Sequence, residues 1–271
     1  MIKYLKKENK SIGLIPTMGN LHDGHISLVM LAKKYVDVII VSIFINPIQF
    51  ENKLDFQKYP ITLKKDYQKL KDCKVDIIFS PHIEEMYPNI EKNKIFIEIP
   101  KLSNILEGHF RPGHFQGVSI IICKLFNIIQ PNFAFFGEKD YQQLLIIKSI
   151  VQELNYMIKI VSAPTVRLKN GLALSSRNNY LNSEEIKIAP YLYKIIQKTS
   201  EKIIQEKNQN TQNIINKSKI ELINKGFRID IFNIYNANTL QNISKKNKKV
   251  IILASVWLGT TRLIDNKKFF L

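Results

Sequence analysis

The first 165 or so residues alternate between short apolar runs and longer stretches with helical spacing, and that alternation leaves few ways to fold. Strand signals fall at residues 12–15, 38–45, 75–79, 133–136 and 158–161, with helical patterns at 26–35, 62–71, 118–129 and 142–154 between them. Such an order predicts a parallel sheet with helices on both faces. Ligands of open α/β sheets bind beyond the carboxyl ends of the strands. The loops there are 17–25, 46–50, 137–140 and 163–177. Four distant segments are therefore expected to converge on one crevice.

After about Val166 the pattern changes. Ser183 reads as an N-cap, with Glu184 and Glu185 in the first turn of a long helix. A polar, lysine-rich helical stretch follows at 211–224, and two strand-like segments, 227–236 and 249–265, close the chain. The expected organisation is a larger α/β domain over 1–165 and a smaller α+β domain over 166–271. Residues 205–212 are polar enough to be expected as a mobile loop. No internal repeat is visible.

Composition excludes several classes. The 271 residues can bury a full core, and 45% hydrophobic content is ordinary for a globular chain. No stretch approaches the roughly 18 uncharged apolar residues needed to span a bilayer. The densest run, 36–45, is broken by Asp37 and Ser42 and reads as a buried strand. A strand beginning at Ile12 leaves no room for a signal peptide. Cys73 and Cys123 lack the spacing of a disulfide framework or zinc site. A cytoplasmic enzyme without a membrane partner is expected. The net charge of +17 is almost all lysine, scattered among Asn and Ile, as on solvated faces. A nucleic-acid binder would cluster basic residues with stacking aromatics; the only tight cluster is 245–249, so no nucleic-acid partner is expected.

Rare residues concentrate elsewhere. The chain has 10 glycines and 5 histidines; Gly19, Gly24, Gly108, Gly113, Gly117, Gly137, Gly171, His22, His25, His109 and His114 fall within a few loops. In Pro16-Thr17-Met18-Gly19-Asn20-Leu21-His22-Asp23-Gly24-His25, a strand leads into a helix that opens with two imidazoles one turn apart. A helix N-terminus favours phosphate, and the histidines suit phosphoryl oxygens whose charge rises in a transition state. This arrangement resembles the superfamily of nucleotidyl transferases and class I aminoacyl-tRNA synthetases.

Four further segments are as distinctive. Val41-Ser42-Ile43-Phe44-Ile45-Asn46-Pro47-Ile48-Gln49-Phe50 ends a strand with a neutral amide, Gln49, suited to a small polar acid. Leu106-Glu107-Gly108-His109-Phe110-Arg111-Pro112-Gly113-His114-Phe115-Gln116-Gly117-Val118 holds an arginine able to neutralise phosphate or carboxylate. His114 there could fix the loop or act directly. In Phe135-Phe136-Gly137-Glu138-Lys139-Asp140-Tyr141-Gln142-Gln143, Gly137 permits a turn, Lys139 offers a point charge, and Asp140 could accept from ribose or fix Lys139. Gly171-Leu172-Ala173-Leu174-Ser175-Ser176-Arg177-Asn178 supplies hydroxyls and a guanidinium that could close over a triphosphate.

Together and in this order, the five segments resemble the pantoate–β-alanine ligase family, with weaker similarity across most of 10–180. The resemblance implies a Rossmann-like ATP- and pantoate-binding domain followed by a lid domain. It implies ATP contacts from Met18, Gly19, Asn20, Leu21, His22, Asp23, Gly24, His25, Gly137, Glu138, Lys139, Asp140, Val166, Leu174, Ser175, Ser176 and Arg177. His25 would donate a proton or stabilise phosphate; Gln49 and Gln143 would hold pantoate, with Gln49 also near β-alanine. A homodimer is implied too. Two positions depart mildly from the family pattern, Asn20 for a common Ala and Asp23 for a common Glu. The helix after Tyr59-Pro60 often carries adjacent acids in the family. Here only Asp66 is present, as a candidate ligand to Mg²⁺ arriving with ATP.

The expected reaction is attack of the pantoate carboxylate on the ATP α-phosphorus, giving pantoyl adenylate, then attack of the β-alanine amine on the acyl carbon. His22, His25, Lys139, Arg177 and the serines would stabilise charge on the phosphates, and Arg111 would assist substrate binding. A nucleotidyl transferase of the same superfamily shares the histidine pair but gives no account of the 111–115 loop.

Overall fold

The computed structural model describes residues 1–50, 56–57, 59–88, 95–206, 210–244 and 248–271. Residues 207–209 of the expected mobile loop and 245–247 of the lysine cluster lie outside the described residues. The chain divides into two compact units, Met1–Glu138 with Gln143–Pro164, and Lys139–Gln142 with Thr165–Leu271.

The first unit is built on five parallel strands: β1 (Ile12–Thr17), β2 (Val38–Ile43), β3 (Ile77–Phe79), β4 (Phe133–Gly137) and β5 (Lys159–Ala163). Their order is β3-β2-β1-β4-β5, so the sheet reverses direction of growth between β1 and β4. Successive strand residues point to opposite faces. Ile12, Leu14 and Ile40 therefore enter one buried cluster, while Ile15, Ile39 and Val41 enter another. Both faces need cover, and helices provide it. Of α1 (Ile2–Lys7), α2 (Asp23–Ala32) and α3 (Leu63–Asp72), α2 adds Leu28, Val29 and Ala32 and α3 adds Leu70 to the second cluster. Next come α4 (Ile83–Met86), α5 (Pro100–Ser103), α6 (Glu107–Phe110) and α7 (His114–Ile129). From α7, Val118, Ile122, Leu125 and Phe126 pack into the first cluster. Each fully buried Leu, Ile or Phe contributes about 1.5–3 kcal/mol. Helix α8 (Tyr141–Glu153) links β4 to β5.

The second unit is α+β. Helices α9 (Ser183–Ile188), α10 (Tyr191–Gln205) and α11 (Thr211–Asn224) accompany an antiparallel sheet of β6 (Arg228–Asn236), β7 (Lys249–Leu258) and β8 (Thr261–Phe270), in that order. The fold class thus matches the expectation: a Rossmann-like α/β sheet and a smaller α+β unit.

Several local expectations need correction. The N-cap of α9 is Asn182, whose side chain accepts from the N–H groups of Glu184 (3.0 Å) and Glu185 (2.9 Å). The long helix expected there breaks at Ala189-Pro190 into α9 and α10. The last strand-like segment is two strands, joined at Gly259 (φ +54°) and Thr260. Helix α7 starts at His114 rather than 118, because Gly117 sits inside its first turn. Among the described residues, no helix is long and apolar enough to cross a membrane.

Candidate active site

Strand β1 ends at Thr17, beside the point where the strand order reverses, and the next eight residues form the first wall of the site. The turn is held from beneath. Thr17 donates its hydroxyl to Ser42 O (2.7 Å) and accepts from Gly19 N–H (3.2 Å). Gly19 and Asn20 both take left-handed backbone, φ +79° and +49°. Glycine does so without strain and asparagine more readily than alanine, a physical reason for Asn20. The loop then leans on Asp66 of α3, which is 1% exposed. Its Oδ2 accepts from Asn20 N–H (2.9 Å) and the Thr62 hydroxyl (2.9 Å), and its Oδ1 from Leu21 N–H (2.8 Å). Lys69 of the same helix donates to Leu21 O.

Asp66, the expected metal ligand, has both carboxylate oxygens engaged in ordering the loop. Among the described residues, no three His, Cys, Asp or Glu side chains gather to hold a metal ion.

The two histidines cap their own helix. Nδ1 of His22 accepts from Gly24 N–H (3.1 Å), and Nδ1 of His25 accepts from His22 N–H (3.2 Å). The rings lie 4.1 Å apart, centroid to centroid. With Nδ1 an acceptor in both, each neutral ring carries its proton on Nε2. The pair thus presents two N–H donors at the positive end of α2.

Strand β2 leads into a second wall. Asn46, 1% exposed, donates to Gly117 O (2.9 Å) and Gln49 Oε1 (3.2 Å) and accepts from the Tyr87 hydroxyl (2.9 Å). Burial pushes the Tyr87 phenol far above its ordinary range, so it stays a donor. Gln49 Nε2 donates to Met18 Sδ (2.6 Å), joining the second wall to the first. Its backbone is gripped by His114, whose Nδ1 lies 2.8 Å from Gln49 O. Arg111 Nη1 meets His114 Nε2 at 2.9 Å. A guanidinium only donates, so Nε2 accepts and Nδ1–H donates to the carbonyl. Of the two roles open to His114, the bonds carry loop fixing, and Arg111 acts in the same chain.

Gly137 ends β4, next to β1, and Glu138 follows, donating its N–H to Ala163 O (2.8 Å) and accepting from Ser162 (3.2 Å). Gly137 has no positive φ, so backbone freedom does not explain it. A Cβ there would meet nothing within 4 Å, which leaves open space at the strand end. Gln143, half-buried, is the third residue of α8.

In the second unit, Lys139, Ser175 and Arg177 line one cleft, together with Asn178, Arg262 and Asp265. Lys139 Nζ lies 3.6 Å from Asp140, the fixing role open to Asp140. Val166 and Leu174 face each other across a hairpin, Leu174 N–H donating to Val166 O (3.0 Å). Ser175 caps the following turn by accepting from Arg177 N–H (3.3 Å), with Ser176 as that turn's first residue.

Sequence reasoning misses the supports of these residues. Asn46, Tyr87, Arg167, Asp265 and Asn266 are not among the expected site residues. Arg167 makes a bidentate pair with Asp265 (2.6 and 2.7 Å) and lies 3.3 Å above the Tyr193 ring. Burial raises the Asp265 carboxyl, against the lowering by Arg167 and the Asn266 N–H. An Asp-Asn pair interrupting an apolar strand is the available signal, since buried acids are rarely unpaired.

The family model described as Pantoate-beta-alanine ligase matches residues 1–268. A pantothenate synthetase of Buchnera aphidicola subsp. Acyrthosiphon pisum (strain Tuc7) is 68% identical over 270 residues, covering 100% of this chain and 95% of the relative. The enzyme of that name from Buchnera aphidicola subsp. Schizaphis graminum (strain Sg) is 61% identical with the same coverage. Among solved structures, Thermus thermophilus pantothenate synthetase superposes with a TM-score of 0.91 at 36% identity, covering 100% of this chain and 98% of that one. The Francisella tularensis pantoate-beta-alanine ligase, complexed with βγ ATP and β-alanine, gives 0.78 at 38% identity, covering 98% and 95%. On the histidine-capped loop, the five distinctive segments and these relatives alike, the chain belongs to the pantoate–β-alanine ligase family.

Proposed function

We propose that the chain condenses pantoate with β-alanine through a pantoyl adenylate, using ATP and releasing pyrophosphate and AMP. Ligation of pantoate to β-alanine is the activity of its family, and the chain is an enzyme of that kind. The observation that carries the stepwise reading is the histidine pair, with both Nδ1 atoms committed to the cap of α2 and both ring protons on Nε2. Two neutral donors at a helix N-terminus suit phosphoryl oxygens that gain charge as the carboxylate attacks phosphorus.

In this reading Met18, Gly19, Asn20, Leu21, Asp23 and Gly24 cradle the nucleotide with His22 and His25. Gly137, Glu138, Asp140, Val166, Leu174 and Ser176 add nucleotide contacts, while Lys139, Ser175 and Arg177 take the phosphates. Gln49 and Gln143 hold pantoate, and Gln49 also lies near the β-alanine site. Arg111 supports the substrate wall through His114. Mg²⁺ belongs with the ATP phosphates, where it keeps water and phosphate ligands. A Rossmann-like ATP- and pantoate-binding domain over 1–165 and a smaller α+β lid domain over 166–271, in a cytoplasmic homodimer, complete the proposal. Sedimentation velocity tests the dimer.

The step sequence balances simply. One carboxylate oxygen of pantoate bonds to the α-phosphorus as pyrophosphate leaves. The β-alanine amine then bonds to the acyl carbon, losing a proton, and AMP leaves with that oxygen. Pantoate labelled with ¹⁸O in its carboxylate should therefore yield AMP carrying one label. Label appearing in inorganic phosphate instead, or unlabelled AMP, would sink the adenylate route.

A further inference from the structure

We propose that Asp265 and Asn266, adjacent on the edge strand β8, are positioning residues that set the spacing between the two loops of the nucleotide cleft. The inference rests on the assignment of Lys139, Ser175 and Arg177 to ATP.

Neighbouring residues of a strand face opposite sides of the sheet, so two adjacent side chains can grip two different segments. Asp265 grips the 166–177 hairpin. Both its oxygens accept from Arg167, and Arg167 also donates to Gly171 O (3.1 Å). Arg167 pairs with Ala173 across the hairpin, two residues before Ser175. Asn266 grips the other loop: its Nδ2 donates to Lys139 O at 2.9 Å. The two grips are joined, because Asn266 N–H donates to Asp265 Oδ1 (2.7 Å). Lys139, Ser175, Arg177 and Asp265 line the same cleft.

The charge of Asp265 argues against any direct part in binding phosphate. The residue is 3% exposed, and an anion at a triphosphate site opposes the substrate. A buried carboxylate in bidentate contact with a guanidinium is instead a rigid fork-to-fork joint. It holds the hairpin in one place and leaves Lys139 and Arg177 as cations for the phosphates. Displacements of about 1 Å in such groups cost up to about 100-fold in rate.

The test uses the full-length protein and pantoate-dependent ATP–pyrophosphate exchange. Asn266→Ala removes the hydrogen bond to Lys139 O and should keep the fold, checked by its Tm. It should slow exchange by about tenfold and raise the KM for ATP. The reaction of preformed pantoyl adenylate with β-alanine should stay within about twofold of wild type. Asn266→Asp, equal in size but without the donor, should match Asn266→Ala. In a Lys139→Ala background, Asn266→Ala should make no further difference. Equal slowing in both backgrounds, equal slowing of both half-reactions, or wild-type exchange in Asn266→Asp would each overturn the proposal. If Lys139→Ala itself exchanges at the wild-type rate, the nucleotide assignment of Lys139 is wrong and this inference falls with it.

Discussion

The backbone N–H of His22 donates to Nδ1 of His25 at 3.2 Å, so the second histidine caps the helix that the first begins. Capping and chemistry occupy different nitrogens of one ring, and substitution can separate them. Asparagine carries an acceptor about where imidazole carries Nδ1 but has nothing at Nε2. His25→Asn should keep stability within about 0.5 kcal/mol while slowing adenylation by about 100- to 1,000-fold. His25→Ala should lose the same rate and about 1 kcal/mol of stability as well. Thermal melts and pyrophosphate exchange on the two variants check this. Near-wild-type exchange in His25→Asn would remove Nε2 from the chemistry.

Asp66 supports the same loop from 46 residues away, through Asn20 N–H. Asp66→Asn turns one acceptor into a donor facing a backbone N–H, leaving that group buried and unsatisfied. A loss of about 1–3 kcal/mol in stability is expected, along with a raised KM for ATP. Extra Mg²⁺ should not restore the rate, because loop order rather than metal affinity has been lost. Titration of activity against Mg²⁺ decides. Full rescue at high Mg²⁺ would place Asp66 at the metal site.

What is legible in the chain depends on how local the cause is. The α/β sheet can be read because strand and helix periodicities are local, and β1, β2 and β4 begin within a residue of where their apolar runs do. The histidine pair can be read because a strand end, Pro-Thr-Met-Gly and the two imidazoles are contiguous. Asn182 is readable too, since Glu185 three residues on completes its capping box, but Ser183 beside it is equally competent as a cap. Pro190 and Gly259 signal the broken helix and the hairpin, yet the surrounding periodicity overrides them in a reading by pattern. Asp66, Tyr87 and Asn266 act across 46, 41 and 127 residues, and no spacing in a single chain reveals such contacts.

Gly117 sits where α7 crosses the Gln49 turn. A Cβ added there would lie 2.7 Å from Gln49 Cα, Gln49 N and Ile48 C. All three are backbone atoms and none can swing away. Gly117→Ala should therefore displace the turn, at about 1–3 kcal/mol in stability. The KM for pantoate should rise by about tenfold with that for ATP unchanged. Steady-state kinetics with each substrate varied in turn provide the measurement. An unaltered pantoate KM would detach Gln49 from the pantoate site.

Asp37 gives a pH dependence whose sign can be worked out. Its Oδ2 accepts from Ser11 N–H (2.8 Å) and the Ser11 hydroxyl (2.6 Å), and Ser11 Oγ accepts in turn from Asp37 N–H (2.9 Å). The bracket sets the register in which Ile12 faces Val38 at the start of β1 and β2. The Ser11 hydroxyl first, and then its N–H, hold the Asp37 carboxyl below its ordinary value of 3.8. A depressed folded pKa means the unfolded chain binds the proton more readily. The stabilisation is therefore complete above 3.8 and lost as pH falls through the lower, folded value. Asp37→Asn should melt below wild type at neutral pH, with the gap in Tm closing only under acid, below pH 3.8. Melting curves of both proteins from neutral to strongly acidic buffer follow that gap. A gap that closes well above the ordinary carboxylate range, or persists unchanged at the acid end, would show that ionised Asp37 does not hold the register.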